Sequence, residues 1–194
     1  MTVELIGSNP MATLVKDGRR NAIVSIWDVA WSARGSGRAV VAWAEGDPAV
    51  RLVTSDQSLG RWLGETFTRH FPEFEGLPPI ADPVECRFTE WLIEPTRARV
   101  EAVATGHGRI AASIGDPVGT RPAHVRDFPL GEPGWTLTNL LTFCAEARIE
   151  LDGEPVEGGP EVTSDDHRTS STAFIAVHET WTRDDRTPGG GPAE

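Results

Sequence analysis

The chain has 194 residues, a length that fits one domain with a sizeable core. Its 29 acidic and 18 basic residues give a formal net charge of −11, which argues against binding to nucleic acids or to anionic membrane surfaces, because both need clustered Lys and Arg. Two cysteines are too few for a disulfide scaffold, and no run approaches the roughly 20 apolar residues of a membrane span. The N-terminus lacks the basic and apolar regions of a signal peptide, so we expect a soluble, cytoplasmic protein.

The N-terminal part of the chain is predicted to be β-structure. Short strands are expected at residues 3–6 and 11–16, followed by a hairpin turn at Asp17-Gly18 and a longer strand at about 21–34. In that longer strand, Trp27 and Trp31 lie on one face and Asp28 lies on the other. Two further strands are expected at 38–45 and 50–54.

One amphipathic helix is predicted after these strands. Ser55 or Asp56 can cap its N-terminus, and Pro72 ends it. One face of this segment is apolar at helical spacing, and its members are Leu59, Trp62, Leu63, Thr66, Phe67, His70 and Phe71.

A meander of three strands is predicted at 84–93, 97–105 and 109–114, with the even positions forming its apolar face. Small residues on this face leave room for a neighbouring layer or for a bound molecule. Residues 115–135 are rich in Gly and Pro and are predicted to be a long, lid-like loop that contains His124.

The longest predicted strand covers residues 137–151, where apolar and polar side chains alternate. It would span about 50 Å, so it either bends to serve two sheets or forms a tilted barrel strand. A last strand is predicted at 171–182 and a disordered tail at 183–194, so residues 1–182 form the predicted domain.

This pattern predicts an antiparallel, up-and-down β-barrel of about 8–10 strands with one amphipathic helix. A bent β-sandwich is the alternative. In strand layout the chain resembles the barrels of lipocalins and streptavidin, that is, a calycin-like layout. The resemblance implies an architecture and no particular activity.

Known catalytic motifs are absent, since the sequence contains no G-x-S-x-G elbow, phosphate-binding loop or dinucleotide fingerprint. Its five histidines never occur as H-x-H or H-x-x-x-H. We therefore predict neither a metal site nor a cofactor.

Ionisable residues on apolar strand faces are the catalytic candidates. Glu90 interrupts the face of strand 84–93, Glu179 that of strand 171–182 and Asp28 that of strand 21–34. A carboxyl group facing a core has a raised pKa, which suits acid–base catalysis. The alternative is that each strand ends, twists or bulges there, so that the acid reaches solvent or an Arg. His124 is a fourth candidate because its loop can reach a barrel mouth, and Glu90 is favoured among the four.

Seven tryptophans and no tyrosine are the compositional anomaly. They either fill the core or line a pocket for a flat, apolar ligand. The predicted ligand-binding residues are Trp27, Trp31, Trp43, Trp91, Phe88, Phe143, Asn139 and Trp181.

Together these features predict a β-barrel that binds a hydrophobic or aromatic small molecule. We expect it to catalyse a cofactor-independent cyclisation, isomerisation or hydration of a substrate resembling a natural product. The alternatives are a carrier without catalysis and an interaction module that uses its tryptophans, and a homodimer is left open. Neither a nucleic acid nor a membrane is an expected partner.

Overall fold

The computed structural model describes residues 1–106, 108–166 and 168–184. Within these residues there is one α-helix, α1 (Gln57–Thr66), and two short 3-10 turns at Thr68–His70 and Pro72–Phe74. The strands are β1 (Thr2–Ser8), β2 (Met11–Lys16), β3 (Arg19–Ser32), β4 (Gly37–Ala44), β5 (Arg51–Thr54), β6 (Val84–Glu85), β7 (Arg87–Glu94), β8 (Arg97–Ala104), β9 (Gly108–Val125), β10 (Trp135–Leu151), β11 (Glu154–Pro155), β12 (Val162–Ser164), β13 (Thr169–Ser171) and β14 (Ala173–Arg183).

Twelve of the described strands form one curved sheet, in the order β6-β5-β4-β3-β1-β14-β10-β9-β8-β7. β2 pairs with both β3 and β14, and β11 pairs with β10, while β12 and β13 form a separate hairpin. Only the β5–β6 pair is parallel among the described strand pairs of the sheet. The predicted β-rich, barrel-like class is confirmed, although the barrel is not strictly closed. The two edge strands of the sheet, β6 and β7, are consecutive in the chain, with only Cys86 between them in the sequence.

The sheet curves around a first set of buried side chains, the inner core. Val53 of β5 and Ala98 of β8 come from distant parts of the strand order, yet both belong to this cluster. The small residues of the predicted meander therefore pack against other strands of the same sheet. Among its buried members are Ala12, Leu14, Ala22, Val24, Ile26, Val40, Ala42, Val53, Ala98, Val100, Ala102, Ile110, Ala112, Ile114, Cys144, Ile149, Ile175 and Val177.

A second cluster, the outer core, lies on the other face of the sheet and is covered by α1 and the two 3-10 turns. Asp56 caps α1, since its carboxylate accepts a hydrogen bond from the Leu59 backbone N–H at 2.8 Å. Among the buried members of the outer core are Leu5, Met11, Ile23, Trp27, Val41, Leu52, Leu59, Leu63, Phe67, Phe71, Phe74, Leu130, Trp135, Leu137 and Trp181.

The helix is shorter than its sequence pattern predicts. The apolar positions continue to Phe71, but the chain leaves the α-helix after Thr66 and continues in 3-10 turns. Both Phe67 and Phe71 still face the outer core. Phe67 and Phe71 are therefore buried on the apolar side of this segment, while the predicted helix length is wrong.

β10 contributes to both clusters. Leu137, near its start, belongs to the outer core, whereas Ile149 and Leu151, near its end, belong to the inner core. One long strand thus serves two packing surfaces, as its predicted length of about 50 Å requires.

The predicted loop at 115–135 is partly wrong, because β9 continues to Val125. β8 pairs with β9 only as far as Ile114, while β10 pairs with it as far as Val125. The second half of β9 thus lies beyond β8. Pro117 and Pro122 are tolerated there because an edge segment has backbone positions that need no N–H donor.

The C-terminal tail begins later than predicted. Arg183 belongs to β14, and the Asp184 N–H donates to the Gly134 carbonyl at 2.9 Å. Residues 185–194 of the predicted tail lie outside the described residues.

None of the described helices is long and apolar enough to cross a membrane.

Candidate functional site

A β-bulge in β14 determines where Glu179 points. Thr180 pairs with Thr138 and Val177 pairs with Leu140, so His178 and Glu179 together lie opposite Asn139. His178 occupies the left-handed region with φ = 54°. Bulge residues commonly adopt such conformations, although a non-glycine residue pays an energetic penalty there.

The bulge moves Glu179 to the outer face of the sheet. Before it, Ile175 and Val177 belong to the inner core; after it, Trp181 belongs to the outer core. Strict alternation would have placed Glu179 with Ile175 and Val177, which is what the sequence pattern predicts. That placement is wrong because the extra residue reverses the alternation.

Glu179 is buried, with 3% of its surface exposed. Its carboxylate accepts a hydrogen bond from Trp181 Nε1 at 2.6 Å. Burial raises its pKa to about 7, although hydrogen bonds from Trp181 and from the Asn139 side chain oppose this shift. A carboxyl group with this pKa can both donate and accept a proton near neutral pH.

Glu179 lines a pocket of about 300 Å³ on the outer face, here called the Glu179 pocket. Aromatic side chains form much of its wall, and this volume is at the lower end of the range for small-molecule sites. Among the residues that line it are Met11, Phe71, Phe128, Leu137, Leu141, Phe143, Phe174, Ala176 and Trp181.

The aromatic wall is ordered by ring contacts. Trp181 meets Phe128 edge-on at 5.0 Å between ring centroids and lies parallel to Phe71 at 6.2 Å. Phe143 and Phe174, opposite each other on β10 and β14, meet edge-on at 6.4 Å. These contacts hold the rings in fixed positions around Glu179.

Asn139 lines the pocket beside Glu179. The residue is 7% exposed, and within the described part of the chain its Oδ1 atom, which is itself buried, has no hydrogen-bond partner. A buried carbonyl oxygen without a partner is costly for folding.

Two charged side chains also line the pocket, Arg121 on β9 and Glu73 in the second 3-10 turn. The Arg121 guanidinium lies over the Phe143 ring, with Cζ 4.5 Å from the ring centroid. Within the described part of the chain, neither Arg121 nor Glu73 takes part in an ion pair.

Glu90, the favoured acid of the sequence, is not in the interior. A register shift between Phe88 and Glu90 lets Phe88 and Trp91 pack against the inner core, while Glu90 faces outward. Its side chain is 43% exposed and its Oε1 lies 3.4 Å from Arg99 Nε. The predicted interior placement is therefore wrong, and the surface alternative with an Arg partner is what the structure shows.

Asp28 and His124 also lie away from the Glu179 pocket. Asp28 accepts a hydrogen bond from Trp91 Nε1 at 3.1 Å, and its side chain is 39% exposed. His124 belongs to β9 rather than to a loop, is exposed, and contacts Thr138 Oγ1 at 2.9 Å. The predicted reach of His124 from a lid over a barrel mouth is wrong.

Some of the predicted ligand-binding residues line the Glu179 pocket, and the others lie outside it. Asn139, Phe143 and Trp181 line the Glu179 pocket. The others lie elsewhere. Trp27 is buried in the outer core, where its Nε1 donates to Thr68 Oγ1, and Trp43 Nε1 donates to the Asp47 carbonyl. Trp31 is 48% exposed, and Phe88 and Trp91 pack on the inner core.

Several pocket residues were not among the predicted site residues. Arg121 and Phe128 lie in the segment predicted as a lid, Phe71 lies on the predicted helix, and Phe174 lies on the last strand. Two of them had a signal in the sequence: Phe71 belongs to the apolar face of the predicted helix, and Phe128 is an aromatic residue of the predicted lid. Nothing in the local pattern marks Arg121.

Metal chemistry has no candidate group in the described residues. Among residues 1–106, 108–166 and 168–184, no three His, Cys, Asp or Glu side chains are arranged to hold a metal ion. Both cysteines are free, and burial raises the pKa of each thiol to about 11, so neither is a reactive thiolate at neutral pH.

No family model matches the chain, and no curated protein matches it. Among solved structures, it is similar to the acetoacetate decarboxylase of Legionella pneumophila subsp. pneumophila. The sequences are 8% identical, and the similarity covers 93% of this chain and 84% of that chain with a TM-score of 0.39. At this identity and TM-score, the likeness has no bearing on residues or activity.

Proposed function

We propose that the protein binds an apolar or aromatic small molecule in the Glu179 pocket and transfers a proton to or from it through Glu179. The observation that carries the proposal is a 3%-exposed carboxyl group on the wall of an aromatic pocket. A carboxyl group in such a position is costly for folding, and functional sites are where such groups concentrate.

The reaction class is a cofactor-independent isomerisation, cyclisation or hydration. Isomerisation is the simplest, because one carboxylate can remove a proton from one atom of the substrate and return it to another. The pKa of about 7 supports both halves of that exchange at neutral pH. Aromatic walls exclude water and position the substrate.

Binding is tested with tryptophan fluorescence. Without tyrosine, emission reports tryptophan alone, and Trp181 is on the pocket wall. We expect neutral polycyclic and polyketide-like compounds to change emission and to raise the melting temperature. Trp181→Phe should remove most of the fluorescence response, whereas Trp31→Phe, in an exposed position outside the pocket, should leave it intact.

Proton transfer is tested by incubating a bound compound in deuterated water and following deuterium incorporation by NMR. We expect incorporation with the native chain and none with Glu179→Gln, while both proteins bind the compound. The carrier alternative predicts binding without incorporation in either protein. The alternative of an interaction module needs exposed tryptophans. Of the seven tryptophans, only Trp31 is exposed.

A further inference from the structure

The side chain of Trp181 donates a hydrogen bond to the acid of the Glu179 pocket. Glu179 and Trp181 are two residues apart on β14, beyond the bulge, so their side chains share the outer face. Trp181 Nε1 lies 2.6 Å from Glu179 Oε1, and Trp181 is fully buried. Opposite Glu179 on β1 is Gly7, which brings no side chain to this bond. The bond is therefore shielded from water, where it is stronger than on a surface.

Four aromatic rings hold the indole of Trp181 in one orientation. They come from the segment after α1, from the turn after β9 and from the start of β10. The distances between ring centroids are 5.1 Å to Phe67, 6.2 Å to Phe71, 5.0 Å to Phe128 and 6.4 Å to Trp135. A ring packed on several sides cannot turn without displacing its neighbours, so the direction of the N–H is fixed before any ligand binds.

A second buried tryptophan shows that an indole in this protein does not need a carboxyl group as its partner. Trp27 is also fully buried, and its Nε1 donates to the neutral hydroxyl group of Thr68 at 3.1 Å. The amide oxygen of a glutamine at position 179 would satisfy Trp181 in the same way, without the cost of burying an ionisable group. Satisfying the indole therefore accounts for an acceptor at position 179 but not for an acid.

The indole N–H can only donate, and this property distinguishes the two carboxyl oxygens of Glu179. Oε1 accepts from Trp181, whether the carboxyl group is ionised or neutral. In the neutral acid the carbonyl oxygen is the better acceptor, so the proton is carried by the other oxygen, Oε2. A proton removed from a substrate then forms its O–H bond at Oε2, and that bond breaks when the proton returns to the substrate.

We propose that Trp181 is a positioning residue for proton transfer, because its N–H holds Oε1 of Glu179 and leaves Oε2 as the oxygen that exchanges the proton. This inference rests on the proposed function, since it concerns the same acid. It adds a second residue to the proton-transfer site, one that acts through Glu179 and not on the substrate directly.

The hydrogen bond from Trp181 also affects the acidity of Glu179. It favours the ionised form and so opposes the effect of burial on the pKa, as does the Asn139 side chain. Arg121 of β9 and Glu73 of the second 3-10 turn are the charged groups that line the same pocket, but neither is among the causes of the pKa shift. Loss of the Trp181 N–H should therefore raise the pKa of Glu179 further.

The first test follows the Trp181 indole N–H by NMR in the native chain from pH 5 to 9 and needs no ligand. We expect its resonance to move with a midpoint of about 7, the pKa of the Glu179 carboxyl group. In Glu179→Gln the movement should disappear. At pH 5 the native and variant resonances should lie close together, because a neutral carbonyl oxygen accepts the bond in both. The Trp27 N–H is the control and should not move; a Trp181 resonance that also stays fixed would overturn the proposal.

The second test compares Trp181→Phe with Trp27→Phe, which also loses a buried indole. Both variants should be less stable than the native chain. Only Trp181→Phe should raise the pKa of Glu179, by about one pH unit or more, as measured by ¹³C NMR of glutamate-labelled protein. The pH midpoint of deuterium incorporation should shift upward by the same amount, whereas Trp27→Phe should leave both values unchanged.

The outcomes separate this inference from the proposed function. Deuterium incorporation with an unchanged pH midpoint in Trp181→Phe would overturn the role of Trp181 and leave the proposed function standing. A titrating Trp181 resonance without deuterium incorporation in any bound compound would overturn the proposed function, and the role in proton transfer with it. If Trp181→Phe does not fold, the NMR titrations of the native chain and of Glu179→Gln decide the matter on their own.

Discussion

Replacing Glu179 with Gln should change the pH dependence of stability in a defined direction. In the folded protein, burial raises the pKa of this carboxyl group from its ordinary value of 4.5 to about 7. Between these values the unfolded chain has released the proton and the folded chain has kept it. Because the unfolded state then binds fewer protons, the free energy of unfolding falls as pH rises.

The magnitude follows from the size of the shift. The difference between 4.5 and about 7 is about 2.5 pH units, and each unit corresponds to 1.36 kcal/mol, so the loss amounts to about 3 kcal/mol above pH 7. Gln cannot ionise, and its carbonyl oxygen can still accept the hydrogen bond from Trp181. We expect Glu179→Gln to have nearly native stability at pH 4.5 and to exceed it by about 3 kcal/mol at pH 8.

The assay is urea denaturation at half-unit steps from pH 4.5 to 8, with the native curve subtracted from the variant curve. Subtraction removes the contributions of groups such as Glu101 and Asp152, whose pKa values are lowered by Arg109 and Arg51. Glu90→Gln is the matched control, since an exposed ion pair should change stability by less than about 1 kcal/mol. A difference curve for Glu179→Gln that stays flat within about 0.5 kcal/mol would refute the reasoning.

Two further substitutions test the packing that holds the pocket. Thr68→Val should lower stability by about 1–3 kcal/mol in urea denaturation, because it removes the acceptor at 3.1 Å from buried Trp27 Nε1, whereas Thr68→Ser keeps the acceptor and should lose less. Gly7→Ala should cost at least about 2 kcal/mol, since its Cβ would lie 2.3 Å from the Asp28 carbonyl oxygen. Gly115→Ala, with open space around its Cβ, is the control, and equal losses for both glycines would contradict the close approach.

Strand positions could be predicted from the sequence because alternation of apolar and polar side chains extends over many residues. The strand predicted at 137–151 is confirmed as β10, and the last strand as β14. Alternation also places Asn139, Phe143 and Trp181 on strands, and all three line the Glu179 pocket. The fold class was accessible for the same reason.

The face that each acid occupies could not be predicted, because single-residue bulges decide it. Glu90 follows a register shift after Phe88, and Glu179 follows the bulge at His178. Bulges that use the left-handed region favour Gly or Asn, but here the residue is His, so no residue type marks the position of the bulge. Each shift reverses all later side chains of its strand.

The prolines of β9 misled the prediction in another way. Pro117 and Pro122 in a Gly-rich segment are typical of a loop, and the segment was predicted as one. Whether a proline is tolerated in a strand depends on whether its nitrogen faces a partner strand. That depends on where β8 ends, which is a property of the neighbouring strand and not of the segment itself.

The two costly features of this fold occur at adjacent residues. His178 holds a left-handed conformation, a strain of about 1–3 kcal/mol for a non-glycine residue, and Glu179 is buried with a raised pKa. The strained residue is what moves the acid from the inner core side to the aromatic pocket. Neither feature benefits folding, since Gly at 178 and Gln at 179 would relieve both. A strained residue next to a buried, proton-carrying group is a combination common at functional sites, and it supports the proposal that Glu179 serves ligand chemistry.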